Sequence, residues 1–310
     1  MILTITPNPA IDLTYRVAGL QPGGSHRVDA PLSRAGGKGI NVARVLAAQG
    51  VESRIIATVG GESGRELEQE LAAAELPRRL IRVQAATRRS IALVDELGGQ
   101  TSIFNERGLA LEIAEWQALA EAIADELQDA ELVVASGSLP TGAPADFYPG
   151  VVALAKQAGV PAIIDTSGAG LLSAASAGAA LLKPNREELL EATGEHELAA
   201  GARVLLRLGA RRVLVSDGER GMLAFAAGTE GHLSARLPEA LAGNPTGAGD
   251  AAVAGAAVVL ASGEQSLEPL LRRAAAWGSA AVLMPAAGEI SERWRELEST
   301  LILEEHFSCH

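Results

Sequence analysis

The chain has 310 residues, 48% of them hydrophobic, enough to bury a large core. Its formal net charge of −12 argues against a nucleic-acid partner, and no apolar run approaches the ~20 residues that a membrane-spanning helix needs. The single cysteine, Cys309, excludes an intrachain disulfide and a thiolate metal cluster, and the N-terminal Met1-Ile-Leu-Thr-Ile lacks the basic region of a signal peptide, so a soluble, cytoplasmic protein is expected.

Short β-branched runs alternate with longer helical patterns, which predicts a mainly parallel α/β fold. Strands are expected at 2–6, 53–59, 131–136, 162–165, 180–183 and 212–216. Helical patterns occupy 39–48, 65–74, 112–127, 145–157, 186–192 and 198–208, and beyond Asp250 the chain reads as almost wholly helical, with later helices at 267–284 and 290–300. No internal repeat or long linker interrupts this order, so one domain over 1–310 is expected. Two stretches, about 12–34 and 87–106, carry β-type alternation with no helix between strands. Together they predict a small antiparallel sheet projecting as a lid, whose apolar face points to a homodimer clasp; a pair of surface hairpins is the other reading.

Ligands in such sheets bind outside the carboxyl ends of the strands, where the glycine-marked motifs fall. Asp12 follows the first strand at that edge, as a ligand group or a buried turn aspartate. In Ala35-Gly-Gly-Lys-Gly-Ile-Asn41, Gly36 and Gly37 allow close backbone approach to a polar ligand, Lys38 adds a cation and Asn41 lies in the first turn of a helix. The spacing is neither a Walker A loop nor Gly-x-Gly-x-x-Gly. Lys38 and Lys183 fall within motifs, whereas the third lysine, Lys156, sits on an ordinary helix face. Gly60-Gly-Glu-Ser-Gly64 reads as a structural turn. His26, His196, His232, His306 and His310 show no metal-ligand spacing; His306 and His310 are four apart, in a polar tail.

The most informative stretch is Asn244-Pro-Thr-Gly-Ala-Gly-Asp250 ahead of a small-residue helix. Thr246, Gly247, Ala248 and Gly249 can expose successive N–H groups at a positive helix end, a site for a multiply charged anion. Asp250, in the first helical turn, would repel that anion unless it serves to take a proton from an attacking hydroxyl. The plainer reading is a glycine turn with a favourable acidic helix start.

Together with Thr6-Pro-Asn-Pro-Ala-Ile-Asp12, Thr87-Arg-Arg-Ser-Ile-Ala92, Ser136-Gly-Ser-Leu-Pro140, Asp165-Thr-Ser-Gly168, Lys183-Pro-Asn-Arg-Glu-Glu188 and Ser216-Asp-Gly-Glu-Arg-Gly221, these motifs occur in one order over nearly the whole chain. The sequence thereby resembles the phosphofructokinase-B branch of the ribokinase-like sugar kinases, most closely the 1-phosphofructokinase and tagatose-6-phosphate kinase group. The resemblance implies a ribokinase-like, mainly parallel sheet flanked by helices with a small β lid. It also implies phosphoryl transfer from ATP to a sugar phosphate with Mg²⁺. On this basis Asp250 acts as base beside the Gly247, Ala248 and Gly249 amides, and Lys183, Ser216, Gly218, Gly221 and Thr246 hold the nucleotide. Asn185 and Glu188 organise hydrated Mg²⁺, although Asn185 also reads as a plain helix N-cap. Asp12, Gly36, Gly37 and Asn41 face the sugar, and Lys38, Arg88 and Ser138 its existing phosphate. Arg27 would reach across a dimer, Arg89 is a weaker phosphate candidate that reads more simply as surface charge, and the Trp277–Met284 stretch aligns with an adenine wall or is simply a packed core helix. Asp217 departs from the apolar or amide residue usual in the family. Fructose 1-phosphate is the favoured acceptor, ahead of tagatose 6-phosphate and fructose 6-phosphate; a sugar-phosphate sensor without turnover is the non-enzymatic rival.

Overall fold

Strands whose every residue is buried, such as Ile2–Thr6 and Leu132–Ser136, need cover on both faces, and helices supply it here. The computed structural model describes residues 1–307; Cys309 and His310 lie outside them. In chain order the strands are β1 (Ile2–Thr6), β2 (Ala10–Val17), β3 (Leu32–Gly36), β4 (Ser53–Val59), β5 (Arg78–Arg82), β6 (Arg88–Asp95), β7 (Gln100–Asn105), β8 (Leu132–Ser136), β9 (Ala162–Asp165), β10 (Leu181–Leu182), β11 (Arg212–Ser216), β12 (Met222–Ala226), β13 (His232–Arg236) and β14 (Ile302–His306). The helices are α1 (Lys38–Ala48), α2 (Gly61–Ala73), α3 (Ile113–Glu126), α4 (Phe147–Ala158), α5 (Gly168–Ser176), α6 (Arg186–Thr193), α7 (Leu198–Leu208), α8 (Ala248–Ala261), α9 (Leu267–Val282) and α10 (Trp294–Thr300).

Ten strands form the main sheet in the order β14-β13-β12-β11-β10-β9-β8-β1-β4-β5. From β11 to β5 all pairs are parallel, and the β12–β13–β14 edge is antiparallel. This is the mainly parallel, helix-flanked α/β architecture expected. Its six predicted strands and the helices between them are present, with ends shifted by a few residues. The expectation of an almost wholly helical C-terminal part is corrected by β14, which pairs residue by residue with β13. Ile302-Leu-Glu-Glu-His306 has no clean alternation, and only the free edge of β13 makes it a strand.

Four strands form the second sheet, β3-β2-β6-β7, from the two segments predicted as a lid. Its outer pairs are antiparallel, but the central pair, β2 with β6, is parallel from Ala10↔Arg88 to Val17↔Asp95. The expected all-antiparallel lid is thus a mixed sheet, because β2 and β6 both leave the same edge of the main body in the same direction. Leu32, Ile103 and Phe104 remain exposed on it.

The small-residue helix α8 is buried along nearly its whole length. Gly255 and Gly278 explain how it packs: a Cβ at Gly255 would lie 2.8 Å from the Arg273 carbonyl oxygen, and one at Gly278 3.1 Å from that of Ala248. Helices α8 and α9 therefore meet almost backbone to backbone. Trp277 of α9 is core, edge-on to Trp294 at 5.8 Å, so that side chain is no ligand wall.

Candidate active site

Five parallel strands deliver polar groups to one edge. Just past β1 come Asn8 and, on β2, Asp12; past β8 comes Ser138; β9 ends on Asp165; β10 leads to Lys183 and Asn185; β11 ends on Ser216. Between this edge and the second sheet lies a cavity of about 590 Å³, lined by Asp12, Gly37, Lys38, Asn41, Arg88, Ser138 and Glu188 among others. Seven predicted positions are thereby brought together.

The glycines here act mainly by making room. A Cβ at Gly36 would fall 1.9 Å from Asp12 Oδ2, so the Asp12 carboxylate rests directly on that backbone, and Gly36 itself is not among the cavity-lining residues. Gly37 has φ +115°, and a Cβ there would lie 2.7 Å from Thr6 Cγ2, which leaves space for no side chain. Burial pushes the Asp12 carboxyl up to about 6, even though Arg88 and Arg34 pull the other way. Arg88 donates from Nε to the Asn8 carbonyl and from Nη1 to the Glu106 carbonyl, each at 3.2 Å. Ser138 Oγ accepts from Asn8 Nδ2 at 3.2 Å.

Asp250 stands behind the cavity, on the first turn of α8 and only 7% exposed. Asn41 Nδ2 donates to its Oδ2 at 2.8 Å, joining α1 to α8. Burial raises the Asp250 carboxyl to about 7; Lys38 opposes this, nearby Asp165 adds to it, and the Asn41 hydrogen bond opposes it again. Asp165, almost wholly buried, sits 3.4 Å from Lys38 Nζ and 3.9 Å from Lys183 Nζ. Lys38 also faces Glu188 Oε1 at 3.6 Å, and Asp165 foremost holds its ammonium well above the usual lysine range. Two lysines and three carboxylates thus form one cluster around the start of α8.

The loop entering α8 is folded on itself. Asn244 Oδ1 accepts the Thr246 N–H at 3.1 Å, and Ala248 N–H donates to the Pro245 carbonyl at 3.1 Å. Of the predicted amides these two are engaged, whereas among the described residues those of Gly247, Gly249 and Asp250 meet no protein acceptor. Gly247, at φ +85°, is the N-cap. Lys183 Nζ lies 3.4 Å from where a Gly249 Cβ would be, so its ammonium borders this free-amide turn.

Asn185 and Glu188 form a capping box on α6: Glu188 N–H donates to Asn185 Oδ1 at 2.8 Å and Asn185 N–H to Glu188 Oε2 at 2.9 Å. The plain N-cap reading therefore holds, while Glu188 Oε1 remains turned toward Lys38. Ser216, Gly218 and Gly221 lie at the next strand end, outside the cavity lining, with Gly218 and Gly221 at φ +58° and +93°. Arg27 is exposed, and Arg89 is held through its N–H by Glu106 Oε2; neither lines the cavity.

Sequence reasoning quoted Asp165 within a motif but gave it no part. An acid closing a fully buried strand was the signal. Asn105, Glu106 and Arg107 carry no motif; the β6–β7 hairpin alone swings them over the cavity.

Residues 6–294 match the family described as pfkB family carbohydrate kinase. A 1-phosphofructokinase from Xanthomonas campestris pv. campestris is 37% identical over 284 residues, covering 89% of each chain. An ATP-dependent 6-phosphofructokinase isozyme 2 from Mycobacterium tuberculosis is 35% identical over 322 residues, covering 100% of this chain and 94% of its own. The crystal structure of phosphofructokinase-2 from Escherichia coli in complex with potassium superposes with a TM-score of 0.89 at 30% identity, covering 96% of this chain and 98% of that one. With the parallel sheet, the strand-end cavity and the buried acid at a glycine-rich helix start, these matches establish that the chain belongs to the PfkB family of carbohydrate kinases and is a phosphotransferase with an alcohol group as acceptor.

Proposed function

We propose that this protein transfers the γ-phosphoryl group of ATP to a hydroxyl of a ketohexose phosphate, foremost fructose 1-phosphate, giving fructose 1,6-bisphosphate. The observation that carries the reading is the position of Asp250: buried beside unengaged amides, and hydrogen-bonded to an asparagine that lines the cavity. The acceptor oxygen bonds to the γ-phosphorus and the bond from phosphorus to the β,γ-bridging oxygen breaks. ADP leaves, and the hydroxyl proton passes to Asp250, whose raised value near neutrality suits a general base. The Gly247 and Gly249 amides, the positive end of α8 and Lys183 stabilise the negative charge on the migrating group, and Thr246 and Ala248 shape that turn.

Asp12 and Asn41 bind sugar hydroxyls against the Gly36–Gly37 backbone, and Lys38, Arg88 and Ser138 receive the phosphate already present. Ser216, Gly218 and Gly221 border the nucleotide. The donor set fits a hard, hydrated Mg²⁺: Glu188 Oε1 faces Lys38 Nζ at 3.6 Å, and Asp165 Oδ2, 3.4 Å from the same ammonium, is buried without a hydrogen-bond partner. Asn185 and Glu188, through water, would hold the ion, which supplies charge neutralisation on the phosphates.

The relative named 1-phosphofructokinase supports fructose 1-phosphate; fructose 6-phosphate and tagatose 6-phosphate are the alternatives. Comparing kcat/KM for the three decides, with fructose 1-phosphate expected highest. A higher value for either alternative reassigns the acceptor, and no turnover with any of them would favour a sensor. Such a kinase works in the cytoplasm, where ATP is available; among the described residues no helix is long and apolar enough to cross a membrane.

Leu32, Ile103 and Phe104, exposed on the second sheet, support a homodimer closed through the lid. Phe104→Glu is expected to convert a dimer into a monomer in analytical ultracentrifugation. An unchanged sedimentation coefficient would remove the lid from the interface.

A further inference from the structure

Asp217 is charged, only 6% exposed in its side chain, and has no part in the chemistry above. Arg186 Nε donates to its Oδ1 and Arg186 Nη2 to its Oδ2, the latter at 2.7 Å. Arg220 Nε and Nη2 donate to Oδ2 and Oδ1, both at 2.8 Å. One carboxylate thus takes two planar forks, each oxygen accepting twice, which uses its full acceptor capacity. The two arginines come from different elements. Arg186 is the first residue of α6, directly after Asn185, and Arg220 belongs to the 218–220 turn after β11.

This turn is closed on itself by Asp217 N–H to the Gly221 carbonyl at 2.8 Å, and by Arg220 N–H and Gly221 N–H to the Asp217 and Gly218 carbonyls, each at 3.1 Å, but these bonds do not tie it to α6. Gly218 and Gly221 are both in the left-handed region, where glycine has wide conformational choice. A Cβ at Gly221 would lie 2.1 Å from the Ala235 carbonyl, so that side is seated on β13, whereas a Cβ at Gly218 would meet nothing within 4 Å. Among the described residues, the backbone joins turn and helix through a parallel bridge, Asn185 with Ser216, and the Ser216 N–H bond to the Pro184 carbonyl at 3.2 Å. Without Asp217, two guanidinium groups would face each other at this junction.

We propose that Asp217 is a positioning residue for the nucleotide: by gripping Arg186 and Arg220 it locks the open side of the 216–221 turn in register with the Asn185–Glu188 element. Resting on the reading that this turn borders ATP, it makes the turn preorganised, so that the conformational entropy of ordering it is lost before ATP arrives. Of the residues that line the acceptor cavity, Glu188 alone comes from the element this restraint grips, and the rest stand on other strand ends and loops.

The test is Asp217→Leu, with Arg220→Ala as a milder variant that removes one fork from a largely exposed arginine. Asp217→Leu is expected to raise the Kd for ATP, read by displacement of a ribose-labelled fluorescent ATP analogue, and the KM for ATP by at least ~10-fold. Acceptor KM stays within about twofold, a split that general loosening of the fold would not produce. Arg220→Ala shifts ATP affinity in the same direction by less, and decides the matter if Asp217→Leu fails to fold. Gly218→Asn separates the two ideas, since asparagine tolerates the left-handed backbone and its side chain would enter the open space. If Gly218→Asn weakens ATP binding while Asp217→Leu and Arg220→Ala leave it unchanged, the positioning role is overturned and the nucleotide turn stands. If none of the three alters ATP affinity, the turn does not border the nucleotide and both ideas fall. Equal rises in both KM values also overturn the positioning role.

Discussion

Asp250→Asn is expected to lower kcat by at least ~10²-fold while ATP affinity changes only a few-fold. The amide is nearly the same size and can still meet Asn41, but it cannot accept the acceptor's proton. Stability provides the control. A carboxyl whose folded value is raised from 3.8 to about 7 favours the protonated form in the fold. Its contribution is fully present below the unfolded value and is lost as pH rises through about 7. The asparagine variant has no such loss, so its Tm relative to the unmodified protein should improve between pH 5 and pH 8, by the sign of the linkage. Wild-type kcat/KM should run the other way, falling about tenfold per unit below pH 7 as the base becomes protonated. Full activity in the asparagine variant would refute the base assignment.

Lys38→Met, which keeps the apolar stem and removes the ammonium, is expected to raise acceptor KM by ~10- to 100-fold and ATP KM far less. Its position predicts a second effect. Lys38 is the largest influence holding the Asp250 value down against burial, and it also faces Asp165 and Glu188. Removing it leaves three carboxylates without their shared cation, so the acid limb of the kcat/KM profile should move to higher pH. Equal KM changes for both substrates would take Lys38 out of the acceptor site. An unmoved acid limb would show that the titrating group is not Asp250.

Much of this molecule was legible because its signals are local. β1, β4, β9 and β11 are short, largely buried runs rich in aliphatic and β-branched residues, so composition alone marks them. Asp250 was legible because glycine-rich helix starts and first-turn acids are physical types with few uses. Other elements escaped for equally physical reasons. β5, Arg78-Arg-Leu-Ile-Arg82, hides its strand character behind arginines paired with Glu68, Asp125 and Glu126. α5 escaped because Gly168-Ala-Gly170 reads as a loop. The amide nest was read two residues too generously, since Asn244 and Pro245 claim the Thr246 and Ala248 N–H groups through contacts that no spacing rule contains.

The amino-acid order by itself determined the fold class, the two stretches that form the second sheet, the glycine-rich turn and the acid beside it, since each depends on residues near in sequence. Only the tertiary structure decided what those groups face. Asn41 meets Asp250 across 209 residues, Lys38 meets Asp165 across 127, and Arg186 meets Asp217 across 31. Such groups are stable in a buried place only when chain packing brings complementary partners within a few ångströms, and that proximity belongs to the assembled fold and not to any segment of it.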